Sequence, residues 1–233
     1  MIDRIKKNIL AKLLWIFENS SKLDDRNIKR RLQRNALAET AEYVEQNMIK
    51  TRSFDNKFNL IKYSLDLAEN NGLIMEFGVW KGTTINFISS NIEKPVYGFD
   101  SFEGLPEDWR DEYEKGAFKM DELPIVNKNV KLIKGWFEDS IPPFISENQE
   151  YCSFIHIDCD LYTSTKTIFN YLADRIKEGT VILFDEFFNY PGWKDGEFKA
   201  FMEFVESNEV KFEYVGYSRY DEQVAVKILG VKK

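Results

Sequence analysis

Histidine occurs once in 233 residues, as His156, and cysteine twice, as Cys152 and Cys159, without a C-x-x-C pair. One histidine excludes histidine-rich metal sites and most nucleophile–histidine triads, and two such thiols give neither a disulfide framework nor a zinc site. Positive charge is also scarce: 32 Lys and Arg stand against 39 Asp and Glu, a net charge of -7. That balance argues against binding dominated by phosphate contacts, so no nucleic-acid partner is expected. No apolar run approaches the roughly 20 residues that span a bilayer, and no transmembrane segment is expected. Internal repeats and low-complexity stretches are missing as well. What remains is 43% hydrophobic residues in a chain of a length that suits one domain with a substantial core.

At the N-terminus, Ile2, Ile5, Ile9, Leu13 and Ile16 recur at helical spacing, with Lys6, Lys7 and Lys12 off that stripe. Lys12 interrupts any signal-peptide core and no small-residue cleavage site follows, so a cytoplasmic protein is expected. The preferred reading is an amphipathic helix packing on its own domain or on a partner subunit, which leans towards a homo-oligomer. A helix resting on a lipid surface is the alternative.

The strongest local signal is "EFGVWKGTT", Glu76 to Thr84, where an apolar strand runs into a turn with the spacing E-x-G-x-x-x-G and a helix opens straight after. This is not the dinucleotide pattern G-x-G-x-x-G, because the acid precedes the first glycine. An acid beside such a turn suits a ligand with a positive group, and S-adenosylmethionine is the leading candidate. The glycines Gly78 and Gly82 let the backbone approach that ligand, and Thr83 and Thr84 are placed to cap the helix.

From Leu73 onward, strand-like runs at Leu73–Val79, Val96–Asp100, Val130–Ile133, Ser153–Asp158 and Val181–Asp185 alternate with helical segments. Such alternation means parallel strands joined by right-handed crossovers. "VKFEYVGYS" and "QVAVKIL", joined by "RYDE", read as a closing β-hairpin. The pattern therefore predicts an α/β fold, Rossmann-like, with a seven-stranded, mostly parallel sheet and a C-terminal antiparallel hairpin. Residues 1–70 form a helical N-terminal extension and residues 71–233 the main domain. Thr51, Arg52 and Phe54 read either as a closure over the ligand or as a plain loop-to-helix junction.

Ligands of open α/β sheets bind at the carboxyl ends of the strands. One end carries Asp100, placed to accept hydrogen bonds from ribose hydroxyls; another leads into Trp136 and Phe137, which suit an adenine wall. Two further ends carry Asp158, Asp160, Asp185 and Glu186. Parallel neighbours lie about 4.8 Å apart, so these carboxylates repel unless a cation sits among them, and Mg²⁺ takes such oxygen ligands; the alternative has one acid capping a helix and the others solvated. Coordination to Mg²⁺ would also acidify an alcohol, whose proton Asp158 is best placed to accept. His156 shares a face with Asp158 and reads either as a second base or substrate contact, or as a buried structural group. Cys159 reads as a small packing residue. Trp109, Tyr162, Tyr190 and Trp193 follow strand ends and suit sugar faces, though packing is their commoner use.

The strings "EFGVWKGTT", "VYGFDSFEGLPEDW", "GWFEDSIP", "HIDCDLYTST" and "DEFFNYPGWKDGEFKAF" together resemble the macrocin O-methyltransferase (TylF-type) family of class I S-adenosylmethionine-dependent methyltransferases. The likeness runs from about Leu73 to Phe201. It implies Mg²⁺-assisted methyl transfer to a hydroxyl of a sugar, glycoside or glycan. Carried over, Glu76, Gly78 and Gly82, with Thr83 beside them, hold the methionine part of the cofactor; Asp100 and Ser101 hold the ribose. Trp136 and Phe137 flank the adenine. Asp158, Asp185 and Glu186 are the metal ligands, with Asp158 at the cofactor and doubling as base, while Asp160 is left to structure or substrate contact. Glu186 stands where the family usually has a second aspartate. A catechol- or phenol-type O-methyltransferase shares the metal geometry, and a non-catalytic cofactor-binding scaffold would share the fold.

Overall fold

The computed structural model describes residues 6, 8–15, 26–69 and 72–232. Ile2, Ile5, Lys7 and Ile16 of the amphipathic stretch, and Asn70 and Asn71, lie outside the described residues.

Each apolar run read from the sequence forms a strand. In chain order the strands are β1 (Arg52–Phe54), β2 (Leu73–Phe77), β3 (Val96–Asp100), β4 (Val130–Lys134), β5 (Cys152–Ile157), β6 (Val181–Phe184), β7 (Val210–Ser218) and β8 (Val224–Val231). They make one sheet in the order β1-β7-β8-β6-β5-β2-β3-β4, parallel throughout except that β8 runs antiparallel to both its neighbours. The expected seven strands and closing hairpin are present, and an eighth is added. That extra strand is Arg52–Phe54, paired parallel to β7, so the segment read as a junction or closure is a sheet edge. Its three residues are too few to show a period-2 pattern.

Alternation along the strands sorts side chains into two cores. Met75, Phe77, Ile155, Ile157, Ile182 and Phe184 pack on one face with the helices Phe137–Glu147, Tyr162–Leu172 and Glu197–Ser207. Ile74, Phe154, Val181 and Leu183 pack on the other with the helices Lys57–Leu67 and Thr83–Ser90. Buried on both faces, the central strands read as nearly continuous apolar runs, which is why they are legible. The charged stretch ahead of Ala36 proves helical from Ile28, opened by Asn27 accepting from the Arg30 amide at 3.1 Å. Residues 8–15 are helical too, but Ile9 and Leu13 are 54% and 57% exposed, so one chain by itself does not bury these two.

The direction of strand addition reverses between β2 and β5. Above that point the carboxyl ends of β2, β3, β5 and β6 open into one cavity.

Candidate active site

The turn after β2 is shaped by Gly78 and Asp100. Gly78 has φ +92, and a Cβ there would lie 1.7 Å from the Asp158 carbonyl oxygen, so only glycine fits. Asp100 ends β3 and knits the turn together: its Oδ2 accepts from the Val79 and Trp80 amides, both at 2.8 Å, and its Oδ1 from the Phe102 amide at 2.7 Å. Each charged hydrogen bond of this kind contributes about 1.5–3 kcal/mol, so Asp100 shapes the turn as well as facing the cavity. Ser101 Oγ accepts from the Glu103 amide at 3.0 Å and holds the chain as it leaves the strand.

Glu76 is fully buried. Its Oε1 accepts from Thr84 Oγ1 at 3.1 Å, and its Oε2 lies 3.0 Å from His156 Nδ1. Register explains the pair, because Glu76 and His156 stand opposite one another on β2 and β5. The helix Thr83–Ser90 is capped by Gly82 rather than by a threonine side chain, Thr84 being turned inward to Glu76. Gly82, at φ +78, faces Pro124 and Val126 instead of the cavity.

A cavity of about 1080 Å³ spans the strand ends. Gly78, Thr83, Asp100, Ser101, Trp136 and Phe137 line one part of it, and Asp158, Asp160 and Glu186 another. Phe137 is steadied by an edge-on contact with Phe77 at 5.4 Å between ring centres. Of the residues expected in the site, Glu76, Gly82 and Asp185 support the lining from behind; the others reach it.

The acids form two overlapping groups that share Asp158. Asp158, Asp160 and Glu186 each place one oxygen within 4.8 Å of the others, as do His156, Asp158 and Asp185 with one ligand atom each. Asp185 is compensated: Lys57 Nζ lies 3.2 Å from its Oδ2 and His156 Nε2 3.6 Å from its Oδ1. Burial pushes its carboxyl upward, but His156 and Lys57 outweigh that and hold it below the usual range. Asp158 and Glu186 go the other way, well above the usual range, through burial and then the charge of Asp185. Asp160 is pushed up to about 7 by burial, against the pull of Arg110, with Asp185 raising it further. Glu186 Oε2 is buried with no hydrogen-bond partner. Three converging carboxylate oxygens with one left unpaired fit a hard divalent cation, and the Gly78 cradle fits a ligand lying close to the backbone.

The family model for macrocin O-methyltransferase (TylF) matches residues 6–213. The chain belongs to that family. Among curated relatives, the 8-demethyl-8-(2,3-dimethoxy-alpha-L-rhamnosyl)-tetracenomycin-C 4'-O-methyltransferase of Streptomyces olivaceus is 23% identical over 172 residues, covering 62% of this chain and 63% of the relative. The demethyldecarbamoylnovobiocin O-methyltransferase of Streptomyces niveus is 23% identical over 164 residues, covering 58% and 62%. The matches thus span less than two thirds of either relative. The O-methyltransferase NovP superposes with a TM-score of 0.58 at 19% identity over 74% of this chain and 79% of NovP. Calicheamicin methyltransferase CalS11 gives 0.57 at 20% over 73% and 77%. Both share the class I methyltransferase fold.

Several site residues of this family member are not singled out by sequence. Lys57 reaches the cavity from the helix Lys57–Leu67, an ordinary exposed-looking lysine until the chain folds. Arg110 lines the cavity from the long connection after β3 and bonds Glu222 at 3.1 Å. Glu197 is fully buried beneath the acids, its Oε2 accepting from the Glu186 amide at 3.1 Å. A glutamate opening a helix gives no sign of such burial. Trp193 and Tyr190 are core residues, at 1% and 5% exposure, whereas Trp109 lines the cavity.

Proposed function

We propose that this protein transfers the methyl group of S-adenosylmethionine to a hydroxyl of a sugar, on a glycoside or glycan, with Mg²⁺ bound at the acid cluster. One observation carries the reading: a glycine–aspartate turn suited to the cofactor and an under-compensated set of carboxylates open into the same cavity. The family, and the rhamnosyl substrate in the name of the tetracenomycin relative, support a sugar hydroxyl.

Gly78, Thr83, Asp100 and Ser101 hold the methionine and ribose parts, and Trp136 and Phe137 flank the adenine. Glu76 acts from behind, fixing Thr84 and the start of its helix. Asp158 and Glu186, with Asp160 completing the converging set, would hold Mg²⁺, which when bound lowers the pKa of an acceptor hydroxyl; Asp185, expected as a third ligand, stands behind them paired to Lys57 and His156. Methyl transfer from a sulfonium has a good leaving group, so these residues must align the acceptor and remove its proton. Asp158 takes that proton. The C–O bond forms as the S–C bond breaks, and neutral S-adenosylhomocysteine leaves.

Residues 1–70 serve as a lid and oligomer contact, a role supported by Lys29 pairing with Asp111 at 2.6 Å on the connection after β3 and by Lys57 at the cavity wall. Arg52–Phe54 and the helix Lys57–Leu67 are nonetheless themselves built into the sheet and its core. The protein works in the cytoplasm as a homo-oligomer. Free, buried Cys152 and Cys159 suit a reducing compartment, and no described helix is long and apolar enough to cross a membrane.

The test is transfer of labelled methyl to a panel of glycosides, with EDTA and with restored Mg²⁺. Label in a sugar hydroxyl, lost on chelation and regained with Mg²⁺, is expected. Transfer indifferent to EDTA would remove the metal, and transfer only to phenols would remove the sugar.

A further inference from the structure

Trp80 in the turn after β2 and three rings on the connection between β3 and β4 form an aromatic series that the cofactor and acid sites do not use. Trp80 meets Phe118 edge-on at 5.3 Å, Phe118 stacks on Tyr113 at 5.3 Å, and Tyr113 meets Trp109 at 5.3 Å between ring centres. All four rings line the cavity. Cations sit at both ends: Lys81 Nζ is 4.1 Å from the centre of Trp80, and the Arg110 guanidinium is 3.8 Å from that of Trp109 and 5.1 Å from that of Tyr190.

Packing alone does not account for this wall. Trp80 remains 41% exposed, and none of the other three rings is buried. Trp80 and Phe118 both take left-handed backbone conformations, at φ +43 and +68. Bulky residues rarely adopt them, and such outliers gather at functional sites. The wall is also anchored above the acids, because Arg110 bonds Glu222 at 3.1 Å and Glu107 accepts from Thr163 Oγ1 at 2.6 Å. Its rings therefore run from the cofactor turn towards the acid cluster.

We propose that this wall binds an aromatic ring joined to the sugar that carries the reacting hydroxyl, so that the acceptor is an aryl glycoside rather than a free monosaccharide. The inference rests on the sugar O-methyltransferase reading and adds the aglycone class. Edge and face contact with these partly exposed rings supplies the affinity. The flanking cations favour an electron-rich ring, whose face attracts positive charge, and Arg110 offers donors to its oxygen substituents.

The protein, saturated with S-adenosylhomocysteine, is titrated calorimetrically with 4-methylumbelliferyl α-L-rhamnopyranoside and with methyl α-L-rhamnopyranoside. The aryl glycoside should bind about tenfold more tightly, the gain of one or two ring contacts. Trp109→Ala and Tyr113→Ala should each remove most of that preference while affinity for S-adenosylhomocysteine stays within about twofold, since additivity holds for separate sites. Trp109→Phe, which keeps a ring, should retain it and guards against a folding defect. Equal affinity for the two glycosides, no saturable binding of the aryl glycoside, or a preference that survives both alanine variants overturns the proposal. If the native protein fails to bind S-adenosylhomocysteine, the methyltransferase reading falls and the wall's assignment with it.

Discussion

Asp100 and Glu186 stand at the carboxyl ends of β3 and β6, on the same rim of the sheet with β2 and β5 between them, yet their carboxylates live differently. Asp100 accepts three backbone amides, while Glu186 keeps a buried oxygen with no partner. Glu76 is likewise raised by burial, but Thr84 and His156 bond it and oppose that rise, whereas at Asp158 the charge of Asp185 adds to burial. Acids at the ends of β2 and β3 are thus satisfied from within the fold and give it shape. Those after β5 and β6 are only partly satisfied, with Lys57 and His156 lying closest to Asp185. A fold tolerates such uncompensated charge where a ligand completes it.

Substitutions on the two sides should accordingly fail in different ways. The largest effect is expected from Asp158→Asn, which keeps shape and removes the proposed base. Turnover should fall by roughly 10³-fold or more, with affinity for S-adenosylmethionine within about threefold; an active variant would erase the contrast between the two sides. Asp100→Ala should instead weaken cofactor binding by roughly 10- to 100-fold, since at least one charged hydrogen bond worth about 1.5–3 kcal/mol is lost, and should also lower the melting temperature. Unchanged affinity would show that the turn holds without it.

Gly78→Ala sharpens the comparison from the backbone. Its Cβ has no space beside the Asp158 carbonyl, and strain of this kind costs about 1–3 kcal/mol even before the clash. If the Gly78→Ala protein melted at the native temperature and still bound the cofactor, the fit described for this turn would be contradicted. The smallest effect is expected for Glu186→Asp, a retained carboxylate on a shorter stem. Turnover and Mg²⁺ affinity should shift within about tenfold, the lower end of the usual cost of disturbing a metal site. A complete loss would mean that the length of Glu186 is itself required.

How much is readable beforehand follows the same division. Strand ends marked by an apolar run stopping at an acid, as at Asp100, Asp158 and Asp185, are legible because burial on both faces leaves few other patterns. The sheet order follows from βα alternation and the final hairpin. Arg52–Phe54 escapes because three residues carry no periodicity, and Glu197–Ser207 stands out as part of a motif rather than as a helix. The Glu76–His156 contact requires the register of β2 against β5, which local sequence does not hold. Lys57 and Arg110 arrive from distant segments. The aromatic wall depends on left-handed Trp80 and Phe118, and no residue preference announces those conformations.

The most direct test is calorimetric titration of the purified protein with S-adenosylhomocysteine, in EDTA and in Mg²⁺. Saturable binding at one site per chain, present in both conditions, is the expected result, because the turn proposed to hold the cofactor is already shaped within the fold by Gly78 and Asp100. Absence of binding at high micromolar ligand would contradict the account and leave a methyltransferase fold without its cofactor.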